Sequence, residues 1–389
     1  MFHTMERRLK VGITCYPTFG GSGVVATELG LALAEAGHDV HFITSRLPAR
    51  LRRHVTADVS FHEVNTYSYA LFQHEPYSLA LAAKMAEVAE TFGLDLLHVH
   101  YAIPHAISAH LAREMLEGRV RIVTTLHGTD ITLVGADPSL HRITRFAINQ
   151  SDAVTAVSHW LAEETRREFS PTQAVEVVPN FIDTLEFHAS LDEGWAGRHY
   201  ACPGHPHLIH VSNFRPVKRA PDAVRILARV LKHTDAHLLM VGDGPDLPET
   251  VRIVRELEVT ERVTFLGNRE DVAYLLAASD VMLMPSGSES FGLSALEAMA
   301  CGCAVVASNI GGLPELIRHG IDGWLCDVGD VDMMAQRVLE LLSNNEQRKE
   351  ICHAARQRAV TDFDTRAVLP RYLEIYSELL ESKQVPYAG

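Results

Sequence analysis

Two successive series of short apolar segments, each alternating with helical segments, constrain the fold of this 389-residue chain most strongly. In the first series, KVGITCY, LDLLHVH and RIVTTLHG are separated by stretches in which apolar residues recur with the period of a helix. The same pattern starts again at HLIHVSN and continues to VMLMPS and beyond. Apolar runs of this kind are typical of parallel strands with helices on both faces. The sequence therefore predicts an α/β protein with two doubly wound, Rossmann-like parallel sheets.

The domain limits follow from composition along the chain. Pro, Gly and His are concentrated between the two series, and we predict a hinge region at 183–206. The first Rossmann-like domain is then 1–182 and the second is 207–365. A last helical pattern, 366–389, follows the second sheet and is expected to pack back toward the first domain. Doubly wound sheets bind ligands at the carboxyl ends of their strands, so the predicted site is a cleft between the two domains.

Charge and hydropathy exclude several classes of protein. Hydrophobic residues make up 47% of the chain and charged residues 22%, which is typical of a globular protein and not of a disordered one. The formal charge of −14 argues against a nucleic-acid binder, so any anionic ligand must be held by local groups. No segment approaches the roughly 20 apolar residues of a membrane span, and we expect a cytoplasmic protein that does not act at a membrane. The oligomeric state cannot be inferred from the sequence, and a homodimer would be compatible with it.

The cysteines show no metal or disulfide pattern. They are scattered, and C-G-C at 301–303 has neither a second pair nor C-x-x-C spacing. We expect buried, reduced thiols. The six residues are Cys15, Cys202, Cys301, Cys303, Cys326 and Cys352.

A glycine-rich loop follows the first predicted strand in ITCYPTFGGSGVVATELG. Gly21, Gly23 and Ala26 spell G-x-G-x-x-A, which also occurs in dinucleotide-binding domains. In that fold the first glycine follows the strand almost at once, whereas here PTFG intervenes. The second strand ends in FITSR, which offers no acidic residue for a ribose, so only NADP bound through Arg46 would fit.

Two other interpretations of this loop stay open. Its glycines could simply make a sharp turn. The preferred interpretation is that the loop lines the cleft, with free N–H groups and Ser22 directed at an anionic or hydroxylated ligand at a helix start. On that interpretation Gly21 belongs to the donor site and Ser22 to the acceptor site.

The stretch PSGSESFGLSALEAMACGCAVVASNIGGLPELI is the most informative in the second half. Glu289 follows an apolar strand in a loop, and Glu297 lies inside the next helix, with seven residues between them. The N–H groups of Gly292 and Leu293 start that helix and can hold a phosphate. The deeper carboxylate can accept both hydroxyls of a ribose, and the loop carboxylate can accept hydroxyls of a sugar.

The spacing E-x7-E, followed by A-x-G-x-x-V-V-A-x-x-x-G-G-x-P-E, resembles the donor-site signature of family-four retaining glycosyltransferases. The resemblance covers nearly the whole chain and implies the GT-B fold, in which two Rossmann-like domains face each other. It implies that Glu289 is catalytic and that the following loop and helix bind the donor. The implied donor-binding residues in this stretch are Ser290, Phe291, Gly292, Leu293 and Glu297.

Three further segments resemble the family's donor domain. VGDGP implies a donor contact at Gly242, and FLGNRE implies one near the nucleobase at Arg269. In HVSNFRPVKRAPD, Lys218 stands where the family has a lysine that neutralises the diphosphate, which implies a catalytic role for Lys218. Asn213 occupies the position of the usual arginine, and Arg215 stands two positions later. A cation there would stabilise the charge that develops on the leaving diphosphate.

The first half offers polar residues after several predicted strands, in HVHYAIPHAI, TTLHGTDITLVGADPSL and RFAI. Their histidines and Asp130 could suggest a metal, but the family usually needs none, and we expect no metal and no cofactor. The resemblance implies instead that His127 is a catalytic residue that bonds to the donor sugar. The expected acceptor contacts are Ser22, Tyr101, Thr125 and Arg145.

Within the family, these segments resemble those of members with one particular activity, and so do G-I-T-C-Y-P-x-x-G-G-S-G and N-F-R-x-V-K-R. The resemblance implies transfer of N-acetylglucosamine from UDP-GlcNAc to the hydroxyl of L-malate with retention, the first step of bacillithiol biosynthesis. A different small anionic acceptor such as inositol phosphate stays open, as do a UDP-sugar epimerase, a non-catalytic nucleotide-sugar sensor and an NADP oxidoreductase.

Overall fold

The structure is a computed structural model that describes residues 7–17, 20–48, 50–53, 58–66, 74–192 and 204–381. The chain packs into two compact units: Met1–Asn180 with Thr365–Gly389, and Phe181–Asp364. The predicted hinge at 183–206 falls in the sequence of the second unit, and its residues 193–203, with Cys202, lie outside the described residues.

The first unit is built on a seven-stranded sheet in the order β3-β2-β1-β4-β5-β6-β7. All neighbouring strands are parallel, which confirms the prediction from the apolar runs. The strands are β1 (Lys10–Thr14), β2 (Asp39–Thr44), β3 (Val59–Glu63), β4 (Leu96–His100), β5 (Arg121–Leu126), β6 (Ala153–Ala156) and β7 (Val175–Val177).

Helices connect these strands, and the last helix of the chain returns to the same unit. A short kinked segment, Ala102–Ala106, comes after β4 and Tyr101 and leads into a regular helix. The helices are α1 (Gly21–Glu35), α2 (Tyr77–Phe92), α3 (Ile107–Met115), α4 (Thr129–Thr132), α5 (His141–Asn149), α6 (His159–Phe169) and, after the second unit, α14 (Thr365–Glu381).

The second unit has a six-stranded parallel sheet in the order β10-β9-β8-β11-β12-β13. Its strands are β8 (His207–Val211), β9 (His237–Val241), β10 (Val263–Gly267), β11 (Val281–Met284), β12 (Ala304–Ser308) and β13 (Trp324–Cys326). Its helices are α7 (Ala220–Val230), α8 (Leu247–Glu256), α9 (Val272–Ala277), α10 (Leu293–Ala300), α11 (Leu313–Leu316), α12 (Val331–Ser343) and α13 (Asn345–Asp362).

Each unit buries its central strands between helices. In the first unit Leu97 and Val99 of β4 pack with Met85 and Ala109 from the covering helices. In the second unit Leu208 and Leu283 from the central strands pack with Leu227 of α7. Removal of this apolar surface from water is the main stabilising contribution to each unit.

The strand order sets where a ligand can bind. In the first sheet successive strands are added on one side of β1 and then, from β4 onward, on its other side. In the second sheet the same change of side occurs between β8 and β11. At such a switch point the loops that leave two adjacent strands diverge to opposite faces and open a crevice. Each unit therefore has one preferred position for a ligand, at the carboxyl ends of these strand pairs.

Candidate active site

In the second unit the switch point brings together two residues far apart in sequence. Lys218 ends a short 3-10 turn after β8, and Glu289 lies in the loop after β11. The Lys218 ammonium Nζ donates a hydrogen bond of 2.5 Å to the Glu289 carboxylate Oε1. The Glu289 side chain is 9% exposed and that of Lys218 is 24% exposed, so the pair is only partly screened by water. The two predicted catalytic residues of this unit are thus in direct contact.

The loop that carries Glu289 is held from two sides. The Ser286 hydroxyl donates a 3.0 Å hydrogen bond to the same carboxylate oxygen that Lys218 contacts. The Glu289 backbone carbonyl accepts a 2.9 Å bond from the Gly312 N–H. Gly311 has φ +60°, and a Cβ atom there would lie 1.9 Å from that carbonyl oxygen. The paired glycines of the sequence motif therefore allow the β12–α11 loop to approach the Glu289 backbone.

The residues after Glu289 form the start of α10. Gly292 has φ +99° and precedes Leu293, the first residue of the helix. The first N–H groups of a helix have no acceptor inside it, so this end can bind an anion. Phe291 is buried with its ring 5.6 Å from that of Phe363, so only its backbone is placed for a ligand. Ser290 is half-buried.

Glu297 lies one turn further along α10. Like Glu289 it is buried, and the two carboxylates are carried by the loop and the helix that the E-x7-E motif spans. A carboxylate is a strong hydrogen-bond acceptor, which suits the predicted contact with hydroxyl groups of a ligand.

The remaining donor-site candidates lie on neighbouring loops. Gly242 follows β9 with φ +116°, and a Cβ there would lie 1.8 Å from the Ser212 carbonyl oxygen, so glycine is required for the close approach of these loops. Asn213 and Arg215 are exposed on the loop after β8. Arg269 is exposed after β10 and pairs with Asp271, at 2.6 Å between Nη2 and Oδ2.

In the first unit a cluster of aromatic and histidine side chains lies at the corresponding switch point, between β1 and β4. The Tyr16 ring follows β1 and lies 5.4 Å from the ring of Tyr101, which follows β4. The Tyr16 ring is also 4.6 Å from the His105 ring. Tyr101 in turn is 5.3 Å from the His127 ring, measured between centroids. The structure thus brings together two of the predicted residues, Tyr101 and His127.

Asp130 ties the loops after β4 and β5 to each other. Its Oδ1 accepts bonds from the N–H groups of His127 (3.1 Å) and Gly128 (2.9 Å), and its Oδ2 accepts one from Ala102 (3.1 Å). The side chain is fully buried, and this burial raises the pKa of Asp130 to about 6 despite the backbone donors. Asp130 therefore fixes the backbone of the two loops that carry Tyr101 and His127.

Thr125 does not join this group. It is completely buried, and its hydroxyl lies 2.7 Å from His98 Nε2 and 2.7 Å from the Thr155 hydroxyl. His98 Nδ1 lies 2.5 Å from the hydroxyl of Tyr376 on α14. This geometry makes Thr125 part of the packing between sheet and helix, which disfavours the predicted acceptor contact.

The remaining acceptor candidates are Ser22, at the start of α1, and Arg145, on the surface of α5; the donor candidate Gly21 lies beside Ser22. Gly21 is exposed and Ser22 half-buried at the start of α1, where the Gly20 carbonyl accepts bonds from Gly23 (3.0 Å) and Val24 (3.2 Å). Arg145 is exposed on α5, which packs against the Ala102–Ala106 segment. These roles stay predictions.

Two features are absent from the described part of the chain. Within it, no group of three or more His, Cys, Asp or Glu side chains is arranged to hold a metal ion. None of its helices is long and apolar enough to cross a membrane.

Comparison with known proteins agrees with the motifs. Residues 19–186 match Glycosyltransferase Family 4, and residues 202–358 match Glycosyl transferases group 1. Over 373 residues the chain is 49% identical to the N-acetyl-alpha-D-glucosaminyl L-malate synthase of Bacillus anthracis, covering 96% of this chain and 98% of the relative.

The chain belongs to the family 4 glycosyltransferases.

More distant relatives and solved structures support the same fold for this glycosyltransferase. It is 28% identical to the glycogen synthase of Mycobacterium tuberculosis, over 95% of this chain and 94% of that one. The crystal structure of Anabaena HepE in complex with UDP-glucose superposes with a TM-score of 0.82 at 22% identity, over 95% and 100% of the two chains. A glycosyltransferase from Rickettsia africae gives 0.79 at 22% identity, over 97% and 100%. The GT-B fold class is therefore confirmed.

Four histidines of the glycosyltransferase's first unit, in and after β4 and after β5, are held neutral by burial. Desolvation lowers the pKa of His98 and of His127 to about 3, and that of His105 to about 4. The pKa of His100 is lowered well below its ordinary value for the same reason. In neutral imidazoles one nitrogen donates and the other accepts, so each hydrogen bond in this group selects a tautomer.

Sequence reasoning passed over several residues that hold the site together. Ser286 and His210 in the second unit, and Tyr16 and His100 in the first, were not among the candidates. His210 is buried, with its Nδ1 2.9 Å from the Leu283 carbonyl and its Nε2 2.8 Å from the Ser212 hydroxyl. Their only sequence signal is a polar residue in or beside an apolar strand, which is too common to single out.

Proposed function

We propose that this glycosyltransferase transfers N-acetylglucosamine from UDP-GlcNAc to the hydroxyl of L-malate, with retention at the anomeric carbon. The product would be N-acetylglucosaminyl malate, and the reaction would be the first step of bacillithiol biosynthesis. The observation that carries the proposal is the 49% identity, over almost the full length of both chains, to the relative of that name.

The second unit offers the groups that a nucleotide-sugar donor needs. Lys218 supplies a cation at the switch point, and the start of α10 supplies N–H groups for the diphosphate. On this proposal Glu289 accepts hydrogen bonds from sugar hydroxyls and Glu297 accepts those of the ribose. Arg215 would add a second cation on the same loop, in place of the arginine that Asn213 replaces.

The first unit offers groups for the sugar and the acceptor. His127 is neutral, which suits a hydrogen bond to a sugar oxygen. Malate carries two carboxylates, and in a chain with a net charge of −14 these must be bound by local donors. The start of α1 with Ser22, the Tyr101 hydroxyl and the Arg145 guanidinium are the proposed donors.

Retention is accounted for by reaction on one face of the sugar. The bond from the anomeric carbon to the diphosphate oxygen breaks, and the malate hydroxyl oxygen forms the new bond on the same face. The proton of that hydroxyl passes to the departing diphosphate oxygen, so the protein need not supply a general base. Lys218, Arg215 and the N–H groups of α10 stabilise the negative charge as it develops. No metal is required in this scheme.

The proposal is tested by measuring UDP release from UDP-GlcNAc with and without L-malate, in the presence of EDTA, with mass analysis of the product. Malate-dependent release that yields glucosaminyl malate is the expected result. UDP release without malate would point to hydrolysis or epimerisation and would overturn the proposed acceptor. Release that depends on inositol phosphate and not on malate would do the same, and loss of activity in EDTA would overturn metal independence.

A further inference from the structure

His100, the last residue of β4, contacts the proposed sugar-binding histidine directly. Its Nδ1 lies 2.8 Å from His127 Nε2, and the two rings lie edge to edge, with centroids 5.1 Å apart and planes 25° apart. His100 is completely buried, so it cannot itself reach a substrate. It can act only through His127.

The surroundings of His100 keep its ring in one position. On one side the His98 ring stacks on it at 4.8 Å, with an interplanar angle of 13°. His98 is itself held by Thr125 and by Tyr376. On the backbone side, His105 Nδ1 lies 2.5 Å from the His100 carbonyl oxygen, and because a carbonyl can only accept, His105 is the donor. The His100–His127 contact is therefore built into the sheet.

The hydrogen bond between the two rings selects a tautomer. Both rings are neutral, so one nitrogen donates and the other accepts. His100 Nε2 is buried and has no hydrogen-bond partner in the described part of the chain. A buried N–H without an acceptor is rarer in proteins than an unpaired acceptor. The proton of His100 is thus better placed on Nδ1, where it is donated to His127 Nε2.

We propose that His100 is a positioning residue that fixes His127 in the tautomer with its proton on Nδ1. His127 Nε2 is occupied as an acceptor, so the proton of His127 lies on Nδ1. That this fixed tautomer orients His127 for its contact with the donor sugar is the part of the inference that rests on the proposed function. The tautomer itself does not depend on which sugar or acceptor is used.

The tautomer is tested by 15N NMR of the wild-type protein labelled at histidine, with the His127 signals assigned by their loss in a His127→Asn variant. A protonated Nδ1 and a bare Nε2 are expected for His127. A proton on His127 Nε2 would overturn the inference. Because no substrate is present in this measurement, failure of the proposed reaction leaves the result unaffected.

The functional consequence is tested with two substitutions of His100. Asparagine places an amide N–H close to the position of Nδ1, whereas leucine fills a similar volume without a donor. We expect His100→Asn to keep kcat within a few-fold and His100→Leu to lower kcat about 10- to 100-fold with little change in KM, the usual effect of losing a group that orients a reacting residue. An unchanged kcat in folded His100→Leu, or equal losses in both folded variants, would overturn the positioning role.

Discussion

At the scale of single residues, the contact between Lys218 and Glu289 is the most informative feature of the second unit. One carboxylate oxygen accepts bonds from both Lys218 and Ser286. A carboxylate held in this way is preorganised, because its partners fix its position before a substrate binds. Substitutions can therefore test the contribution of the Glu289 charge separately from that of its position.

Replacing Glu289 by Gln should lower kcat at least about 100-fold, because the amide keeps the shape of the side chain but not its charge. The fold should persist, since the amide oxygen can still accept from Lys218 and Ser286. The assay is malate-dependent UDP release, with circular dichroism as the check on folding. Ser286→Ala is the matched control: it removes one bond to the carboxylate but keeps the charge, and it should cost less than tenfold. Wild-type rates in Glu289→Gln would sink the catalytic assignment.

Glu297 is predicted to behave differently from Glu289. If it holds the ribose, Glu297→Gln weakens a hydrogen bond that is made equally in the ground state and the transition state. The KM for the nucleotide sugar should then rise about tenfold with kcat little changed. Initial-rate kinetics over a range of donor concentrations measure this. A fall in kcat at constant KM would contradict the ribose role.

At the scale of elements, the structure explains why two loops of the second unit need glycine. The β12–α11 loop approaches the backbone of Glu289 at Gly311, and the β9–α8 loop approaches Ser212 at Gly242. In both cases a Cβ would overlap a carbonyl oxygen, and the backbone has a positive φ. These loops therefore position the site through main-chain contacts.

Gly311→Ala should displace the Glu289 loop, since the new Cβ would lie 1.9 Å from the Glu289 carbonyl oxygen. We expect kcat to fall at least tenfold and the free energy of unfolding to fall by about 1–3 kcal/mol. The matched control is Gly320→Ala, which has a similar φ of +76° but whose nearest neighbour is the Trp324 ring at 3.6 Å. The control should lose stability and keep kcat. Equal kcat in both variants would show that the Gly311 contact does not position Glu289.

At the scale of the whole molecule, buried neutral histidines link stability to pH. The folded-state pKa is about 3 for His98 and His127 and about 4 for His105 and His210, all below the ordinary 6.5. The unfolded chain therefore binds protons below pH 6.5 that the folded chain does not. Asp130 acts in the opposite direction, because its folded pKa of about 6 lies above the ordinary 3.8.

The free energy of unfolding should consequently fall as the pH is lowered from about 6.5 toward 4, by about 1.4 kcal/mol per pH unit for each net proton. Urea titrations at pH 7, 6 and 5 measure the effect. As a control, His98→Phe should reduce the slope by one proton whatever its effect on stability at pH 7. A free energy of unfolding that is the same at pH 5 and pH 7 would contradict the burial of neutral histidines.

Much of the fold and part of the site could be predicted from local sequence. Parallel strands are recognisable because their apolar runs are continuous, and Glu289 and Gly292 because they follow such a run at a fixed spacing. The pairings were not predictable: 71 positions separate Lys218 from Glu289, and 27 separate His100 from His127. Thr125 was chosen because it is a polar residue near a strand end, but its hydroxyl is buried and hydrogen-bonded to His98.

By itself, then, the sequence determined the fold class, the family and the segments that carry the chemistry, because periodicity and motif spacing are properties of the chain over a few residues. The tertiary structure alone decided which side chains meet. In the first unit the order of the strands places the loop after β1 next to the loop after β4. In the second unit it places the loop after β8 next to the loop after β11. Burial then decides whether a polar side chain on those loops is left for a substrate or used to hold a neighbour in place.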